Sequence, residues 1–185
     1  MRRWCVLGLA LLLWLPAASA AELAGVEFAD QVTVGDQTLV LNGTGLRKKL
    51  VIKVYAAGLY LPSRSSDPAE ILGSDGAKRM VMHFLTNKAT KGRMDEAWLE
   101  GFEANSPAVY PAIADRVSEF IGLFGDMKDG DEVVLTVRPG TGTTIELNGS
   151  TIGEIAGDDF GTALLKVWLG DHPPSDDLKE GLLGG

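Results

Sequence analysis

The sequence has almost no cysteine and very little histidine. Cys5 is the single cysteine among 185 residues, and the two histidines, His83 and His172, lie far apart. One thiol cannot close an intramolecular disulfide, and no group of residues has the spacing of a zinc, calcium or other metal site. The sequence therefore predicts a protein that is held together by ordinary packing and that binds neither a metal ion nor a cofactor.

Positive charge is also scarce. The chain has 17 basic and 25 acidic side chains, which gives a formal net charge of −8. No basic stripe follows the chain, so nucleic acid is a poor candidate partner. The acidic balance also disfavours docking on anionic lipid headgroups, although it leaves room for a small anion in a locally basic cleft.

A long apolar run lies at the N-terminus, from Val6 to Leu15, between a basic head (Arg2 and Arg3) and the small residues Ala18–Ala20. This order predicts a signal peptide over residues 1–20 and a single mature domain over residues 21–185. The mature protein is expected in the periplasm or outside the cell. The run is shorter than the roughly 20 residues of a membrane-spanning helix, so no membrane span is expected in the mature chain. Processing would remove Cys5 and both arginines, taking the net charge from −8 to −10.

The period of the apolar pattern changes along the mature chain. Residues 22–62 alternate as strands, with a turn predicted at Asn42-Gly43 and a long, centrally placed strand over Leu50–Leu61. Two helices are predicted over about 91–105 and 108–125, then a three-stranded meander over 131–155, a helix over 159–169 and a loosely held tail. Segregated elements of this kind predict an α+β fold, in which helices cover one face of an antiparallel sheet.

A few polar and aromatic residues stand out as candidates for a site. Arg47 ends the run Gly43-Thr-Gly45-Leu-Arg47 before two lysines, and it either belongs to a solvated basic turn or holds an anion in a cleft. Tyr55 lies within the long apolar strand and needs a partner for its hydroxyl. Trp98, Phe102 and Asn105 share one face of a helix, where they either complete the core or line a pocket.

The sequence resembles the chalcone isomerase superfamily in three places. The first is the Gly-x-Gly-hydrophobic-Arg turn at 43–47 with the following strand that ends Ala-x-Gly-x-Tyr-Leu at 56–61. The second is the helix over 98–105 that ends in Glu-x-Asn. The third is the hairpin with the turn Pro139-Gly140-Thr-Gly142, together with the closing helix, within 135–170. The resemblance covers roughly residues 22–170 and implies the open-faced β-sandwich of that superfamily.

The resemblance also implies roles for single residues. The arginine and asparagine of the plant enzyme correspond to Arg47 and Asn105. Its strand threonine, helix tyrosine and late hydroxyl residue correspond to Tyr55, Trp98 and Val167, so three of five polar positions depart from the enzyme. In the fatty-acid-binding members, the matching arginine and a strand tyrosine hold the ligand carboxylate, a pattern that Arg47 and Tyr55 reproduce.

Three functions follow from this resemblance. The first is a non-catalytic binder of a fatty acid or similar amphipathic carboxylate, with Arg47 and Tyr55 at the head and Trp98 and Phe102 along an apolar tunnel. The second is an intramolecular lyase of the chalcone isomerase type, acting on a small enone or phenolic substrate through Arg47 and Asn105. The third is a non-catalytic scaffold for a protein partner, which the sequence does not identify.

The predicted signal peptide has a direct test. When the full chain is expressed in a bacterial host, intact-mass spectrometry of the periplasmic fraction should find the mass of residues 21–185. Ala18→Arg should block this cleavage, because the processing site needs small residues. A protein of full length in the cytoplasm would contradict the assignment.

Overall fold

The computed structural model describes residues 20–185; residues 1–19, which contain nearly all of the predicted signal peptide, lie outside the described residues. Within residues 20–185, no helix is both long enough and apolar enough to cross a membrane. The elements, in chain order, are β1 (Ala20–Leu23), β2 (Val26–Ala29), β3 (Gln31–Val34), β4 (Gln37–Lys49), β5 (Ile52–Leu61), α1 (Pro68–Gly73), β6 (Lys78–Phe84), α2 (Lys91–Asn105), α3 (Tyr110–Gly122), β7 (Glu132–Arg138), β8 (Gly142–Leu147), β9 (Ser150–Ile155), α4 (Asp158–Leu169) and α5 (Asp176–Leu182).

Seven of the strands form one antiparallel sheet in the order β3-β4-β5-β6-β7-β8-β9, so each strand pairs with its neighbour in the sequence. The predicted α+β class with an antiparallel sheet is confirmed. The long strand β5 pairs on both sides and is buried along most of its length, as its continuous apolarity predicts, while β6 occupies the centre.

The helices pack on one face of this sheet and form the main core with it. Their apolar stripes contribute Trp98 and Phe102 from α2, Phe120 from α3 and Trp168 from α4, all of them buried. The opposite face carries a smaller apolar cluster beneath the β1–β2 hairpin. There the ring of Phe28 lies so close to Gly58 that a Cβ at this position would clash with it.

Strand β4 is longer than predicted because Asn42-Gly43 forms no turn. The pairing of β4 with β5 passes from Leu41–Tyr60 to Gly43–Leu59, which leaves Asn42 as the extra residue of a β-bulge. The Asn42 side chain is bonded on both sides, donating to the Leu182 carbonyl at 2.8 Å and accepting from Ser65 N at 2.8 Å. These contacts keep a turn-favouring dipeptide inside a strand.

The turn lies instead at Leu50 and Val51, which the sequence placed in the strand. Lys49 pairs with Ile52, so Leu50 and Val51 are the two connecting residues of the β4–β5 hairpin. Leu50 adopts a positive φ of 55°, a conformation that favours glycine. Apolarity predicted a strand here because nothing in the local sequence marks a turn.

The C-terminal tail is ordered, which corrects the expectation of a loose end. Helix α5 packs along β4, and its Leu178 and Leu182 are completely buried. Gly43 and Gly45 make this packing possible, because a Cβ at either position would collide with the α5 backbone. The glycines of the Gly-x-Gly sequence thus serve close packing of a helix on a strand.

Shortening a buried leucine of α5 should destabilise the fold. Leu178→Ala should lower the free energy of unfolding by about 2–5 kcal/mol, because it leaves a cavity against β4. Glu180→Ala, an exposed change on the same helix, should stay within about 0.5 kcal/mol. Urea denaturation measures both, and equal stabilities would contradict the docking of α5.

Candidate functional site

A cleft of about 490 Å³ opens between the turn end of the β4–β5 hairpin, helix α2 and the end of α4. The segment that connects α4 to α5 closes a further side. The cleft is lined by residues 47, 49, 50, 52, 54 and 55 of the hairpin, by residues 86, 88 and 89 of the loop before α2, by residues 93, 94, 97, 98, 100, 101 and 104 of α2, and by residues 167, 168 and 172–174. This volume is within the usual range for a small-molecule site.

Arg47 and Tyr55 stand opposite each other in the β4–β5 pairing, and both line the cleft. They are register partners on β4 and β5, and residues that pair directly project to the same face of a sheet. The next pair is Lys48 with Lys53, which leaves Val54 as a bulge residue immediately beside Tyr55. Bulges of this kind redirect neighbouring side chains and are common beside functional sites.

The Arg47 guanidinium is held in place by part of its donor set. Its Nη1 donates to the carbonyl oxygens of Lys48 and Pro174, each at 2.7 Å. Its Nε and Nη2 have no hydrogen-bond partner among residues 20–185. A guanidinium presents these two nitrogens as one edge, which can take a carboxylate with two parallel hydrogen bonds.

The Tyr55 hydroxyl has a similar arrangement. Its oxygen accepts a hydrogen bond from Trp168 Nε1 at 3.0 Å, and within the described chain its own proton has no acceptor. Burial raises the pKa of Tyr55 from 10.0 to about 12, against the lowering effects of the Trp168 hydrogen bond and of the Arg47 charge. The hydroxyl therefore stays neutral at physiological pH and can donate.

The charge of the cleft is opposite to that of the whole chain. Four lining residues, Arg47, Lys49, Lys88 and Arg93, are cationic, and Glu100 is the only acidic one. The complete sequence has a net charge of −8. A cleft that concentrates positive charge in an acidic protein attracts small anions.

The remaining wall of the cleft is largely apolar. Val54, Met94, Trp98 and Val167 all contribute to it. Trp98 packs edge-on against Trp168, with ring centroids 5.5 Å apart. The Trp98 indole N–H is buried and has no hydrogen-bond partner among the described residues. The cleft thus combines cationic and neutral donors with apolar surface.

Phe102 and Asn105 lie outside the wall of this cleft, in contrast to the tunnel and pocket roles considered for them. Phe102 is fully buried and stacks near Phe160 with ring centroids 5.7 Å apart. The Asn105 amide is engaged by backbone groups: it donates to the carbonyl oxygens of Gly101 and His172 and accepts from His172 N. Asn105 therefore fastens the end of α2 to the segment after α4.

Sequence reasoning missed several residues of the cleft. Lys88 and Arg93 stand in an ordinary polar stretch, and only the fold brings them into the same cleft as Arg47. Trp168 reads as one more core residue of α4, and nothing in the sequence indicates its hydrogen bond to Tyr55. The backbone oxygen of Pro174 has no sequence signal at all. Within the described chain, no three His, Cys, Asp or Glu residues form a group that could hold a metal ion.

Comparison with known proteins gives the family. The model of the chalcone isomerase-like family matches residues 20–184. The chain belongs to the chalcone isomerase-like family. The resemblance to the family that was seen in the sequence is thereby confirmed. Tyr55, Trp98 and Val167, which the resemblance matched to polar positions of the plant enzyme, all line the cleft.

Solved structures support the same fold. The chain is similar to the crystal structure of the fatty-acid binding protein AtFAP1 of Arabidopsis thaliana, with 18% sequence identity and a TM-score of 0.67. The alignment covers 89% of this chain and 96% of that one. At this identity the likeness shows that the two proteins share a fold. A search of curated proteins finds no significant match.

The buried tyrosine predicts how stability depends on pH. The pKa of Tyr55 is about 12 in the folded chain, against 10.0 for a tyrosine that is not buried. The contribution of the neutral side chain to the free energy of unfolding is therefore complete below pH 10 and is lost as the pH rises through 12. In the wild type, the free energy of unfolding should fall by up to about 1.4 kcal/mol per pH unit between these two values, and Tyr55→Phe should remove this fall. Urea denaturation at a series of pH values checks this.

The pH slope separates the titration from the other effects of Tyr55→Phe. Loss of the hydroxyl also leaves Trp168 Nε1 unpaired, but that cost is the same at every pH. The stabilities of the two proteins should therefore run parallel below pH 9 and diverge in slope above pH 10. Equal slopes across pH 10–12 would contradict a buried, neutral Tyr55.

Proposed function

We propose that this chalcone isomerase-like protein binds a fatty acid or a similar amphipathic carboxylate without converting it. The observation that carries the proposal is the pair of hydrogen-bond donors, on Arg47 and Tyr55, in the wall of the cleft. The Nε and Nη2 nitrogens of Arg47 and the hydroxyl proton of Tyr55 are without partners among residues 20–185, although both groups are anchored by their other hydrogen bonds. Anchored donors bind a carboxylate at low entropic cost.

The rest of the cleft supports a ligand with an apolar tail. Val54, Met94, Trp98 and Val167 offer apolar surface next to the donors. Burial of each methylene group against such a surface contributes roughly 0.8 kcal/mol. The name of the structural neighbour, a fatty-acid binding protein, agrees with this class of ligand.

The isomerase alternative finds less support in the cleft. By the resemblance, Trp98 and Val167 stand where the plant enzyme has hydroxyl groups. Val167 has no polar atom in its side chain, and the Trp98 indole can donate a hydrogen bond but cannot accept or relay a proton as a hydroxyl does. Asn105, the second residue shared with the enzyme, is bonded to backbone groups of Gly101 and His172. Of the polar groups shared with the enzyme, the wall of the cleft holds only Arg47.

The proposed function also includes a location outside the cytoplasm, in the periplasm or secreted. It is supported by the basic head, apolar run and small residues at 1–20. The processing experiment given with the sequence analysis tests this part independently of any ligand.

Palmitate binding should depend on Arg47. Isothermal titration of the purified protein should show saturable binding of palmitate, and Arg47→Ala should weaken it about 10- to 100-fold, because a hydrogen-bonded charge contributes about 1.5–3 kcal/mol. Lys128→Ala removes an exposed cation that does not line the cleft and should leave the affinity unchanged. Methyl palmitate, which has the same tail but no charge, should bind equally to the wild type and to Arg47→Ala.

Several results would contradict the binder. Absence of saturable palmitate binding would do so, and so would equal losses for Arg47→Ala and Lys128→Ala. Conversion of a chalcone to a flavanone above the uncatalysed rate, abolished by Arg47→Ala, would establish the isomerase instead. Because Arg47 also bonds to the Pro174 carbonyl, the thermal unfolding of each variant is compared with the wild type before the affinities are interpreted.

A further inference from the structure

The β4–β5 hairpin ends in two aliphatic side chains that touch almost nothing. Leu50 is 93% exposed and Val51 is 96% exposed, and we call these two residues the hairpin tip. The only other exposed large hydrophobic residue among those described is Leu99, at 38%. The packing of the domain does not require the side chains of the tip.

The backbone conformation of the turn does not favour these residues either. Leu50 holds a positive φ of 55°, which is unfavourable for a residue with a side chain. Two-residue hairpin turns favour glycine, asparagine or aspartate at such positions. Two aliphatic residues therefore stand where both solvation and backbone conformation disfavour them, which points to a use outside the folding of the chain.

Positive charge surrounds the tip. Lys48, Lys49 and Lys53 are exposed beside it, and we call them the tip lysines. From Gln37 to Ser66, a range that spans the whole hairpin, the sequence contains no aspartate or glutamate. The hairpin is thus a cationic projection on a protein of net charge −8.

We propose that the hairpin tip inserts into the surface of an anionic lipid bilayer, with the tip lysines against the headgroups. Apolar side chains that enter the interface, flanked by cations, are the usual features of peripheral membrane binding. The net acidic charge opposes such docking over most of the surface, but repulsion is screened within about 10 Å at 0.1 M salt. The cationic hairpin therefore meets the bilayer first.

This docking brings the mouth of the cleft to the bilayer. Lys49, Leu50 and Ile52 belong both to the turn end of the hairpin and to the wall of the cleft. Exposed cations Lys88 and Arg93 lie on the same rim. An amphipathic ligand could then pass between bilayer and cleft without crossing water. This last step rests on the proposed function, whereas the docking does not.

A fluorescent label at the tip tests the docking. In the full chain with Cys5→Ser, Val51→Cys provides the only thiol for an environment-sensitive dye. Asp36→Cys provides the matched control, because it lies in the β3–β4 turn at the opposite end of β4. Residues 1–19 are identical in both labelled proteins, so any lipid contact of theirs affects both equally.

Vesicles of phosphatidylcholine with phosphatidylglycerol, without added fatty acid, should shift the emission of the dye at position 51 to shorter wavelength and leave the dye at position 36 unchanged. Changing the tip lysines to glutamine should raise the lipid concentration at half-maximal shift roughly a hundredfold. Vesicles of phosphatidylcholine alone, or high salt, should weaken the response. An unshifted dye at position 51, or equal shifts at both positions, would overturn the proposal.

A second variant separates lipid binding from folding stability. Leu50→Gly with Val51→Ser removes the aliphatic side chains and supplies residues that suit the turn, so the Tm should stay the same or rise. Its co-sedimentation with the same anionic vesicles should fall at least tenfold relative to the wild type. A lower Tm would mean that the tip serves folding, and unchanged co-sedimentation would mean that it does not enter lipid; either result would refute the docking.

The two proposals fail separately. Palmitate titration in the absence of vesicles tests the cleft, and vesicle binding in the absence of fatty acid tests the tip. A protein that binds palmitate while its tip stays in water would retain the proposed function and lose only the docking.

Discussion

The pairing of β4 with β5 is the constraint on which the rest of the structure depends. It sets Arg47 directly opposite Tyr55, and its two bulges determine how the hairpin bends at each end. One bulge, at Asn42, receives the C-terminal helix, and the other, at Val54, borders the cleft. The same pairing ends in a two-residue turn, so the cleft and the exposed turn share one pair of strands.

The donors of the cleft are supported by elements that are distant in sequence. Trp168 on α4 fixes the Tyr55 hydroxyl, and the Pro174 carbonyl after α4 fixes Arg47. The loop that carries Pro174 is in turn held by Asn105 on one side and, on the other, by Lys179 of α5, whose Nζ donates to the Gly170 carbonyl. The geometry of two side chains on a hairpin thus depends on the packing of three helices.

The sequence predicted the architecture well because strand and helix periods are local signals. The antiparallel sheet, helices α2, α3 and α4 and the final meander all follow from apolar spacing and turn residues. Two of the errors have one cause, which is tertiary contact that overrides local preference. Asn42-Gly43 remains extended because Leu182 and Ser65 bond to Asn42, and the tail is ordered because two leucines pack on β4.

The candidate site was only partly accessible from sequence for the same reason. Arg47 and Tyr55 were identifiable because a charge just before an apolar strand, or a hydroxyl within one, is unusual. Phe102 and Asn105 share the helical face of Trp98, but periodicity cannot tell which residues of a face meet the core and which meet a cleft. Lys88 and Arg93 join the cleft only through the fold, so no local pattern marks them.

Gly43 and Gly45 show that the position of Arg47 depends on packing outside the cleft. Any side chain at either glycine would push α5 away from β4 and would displace the segment that ends at Pro174. Arg47 would then lose one of its two carbonyl partners although no residue of the cleft had changed. Mutational tolerance at these two positions is consequently governed by the packing of α5, and a substitution there would change the surroundings of Arg47 from a distance.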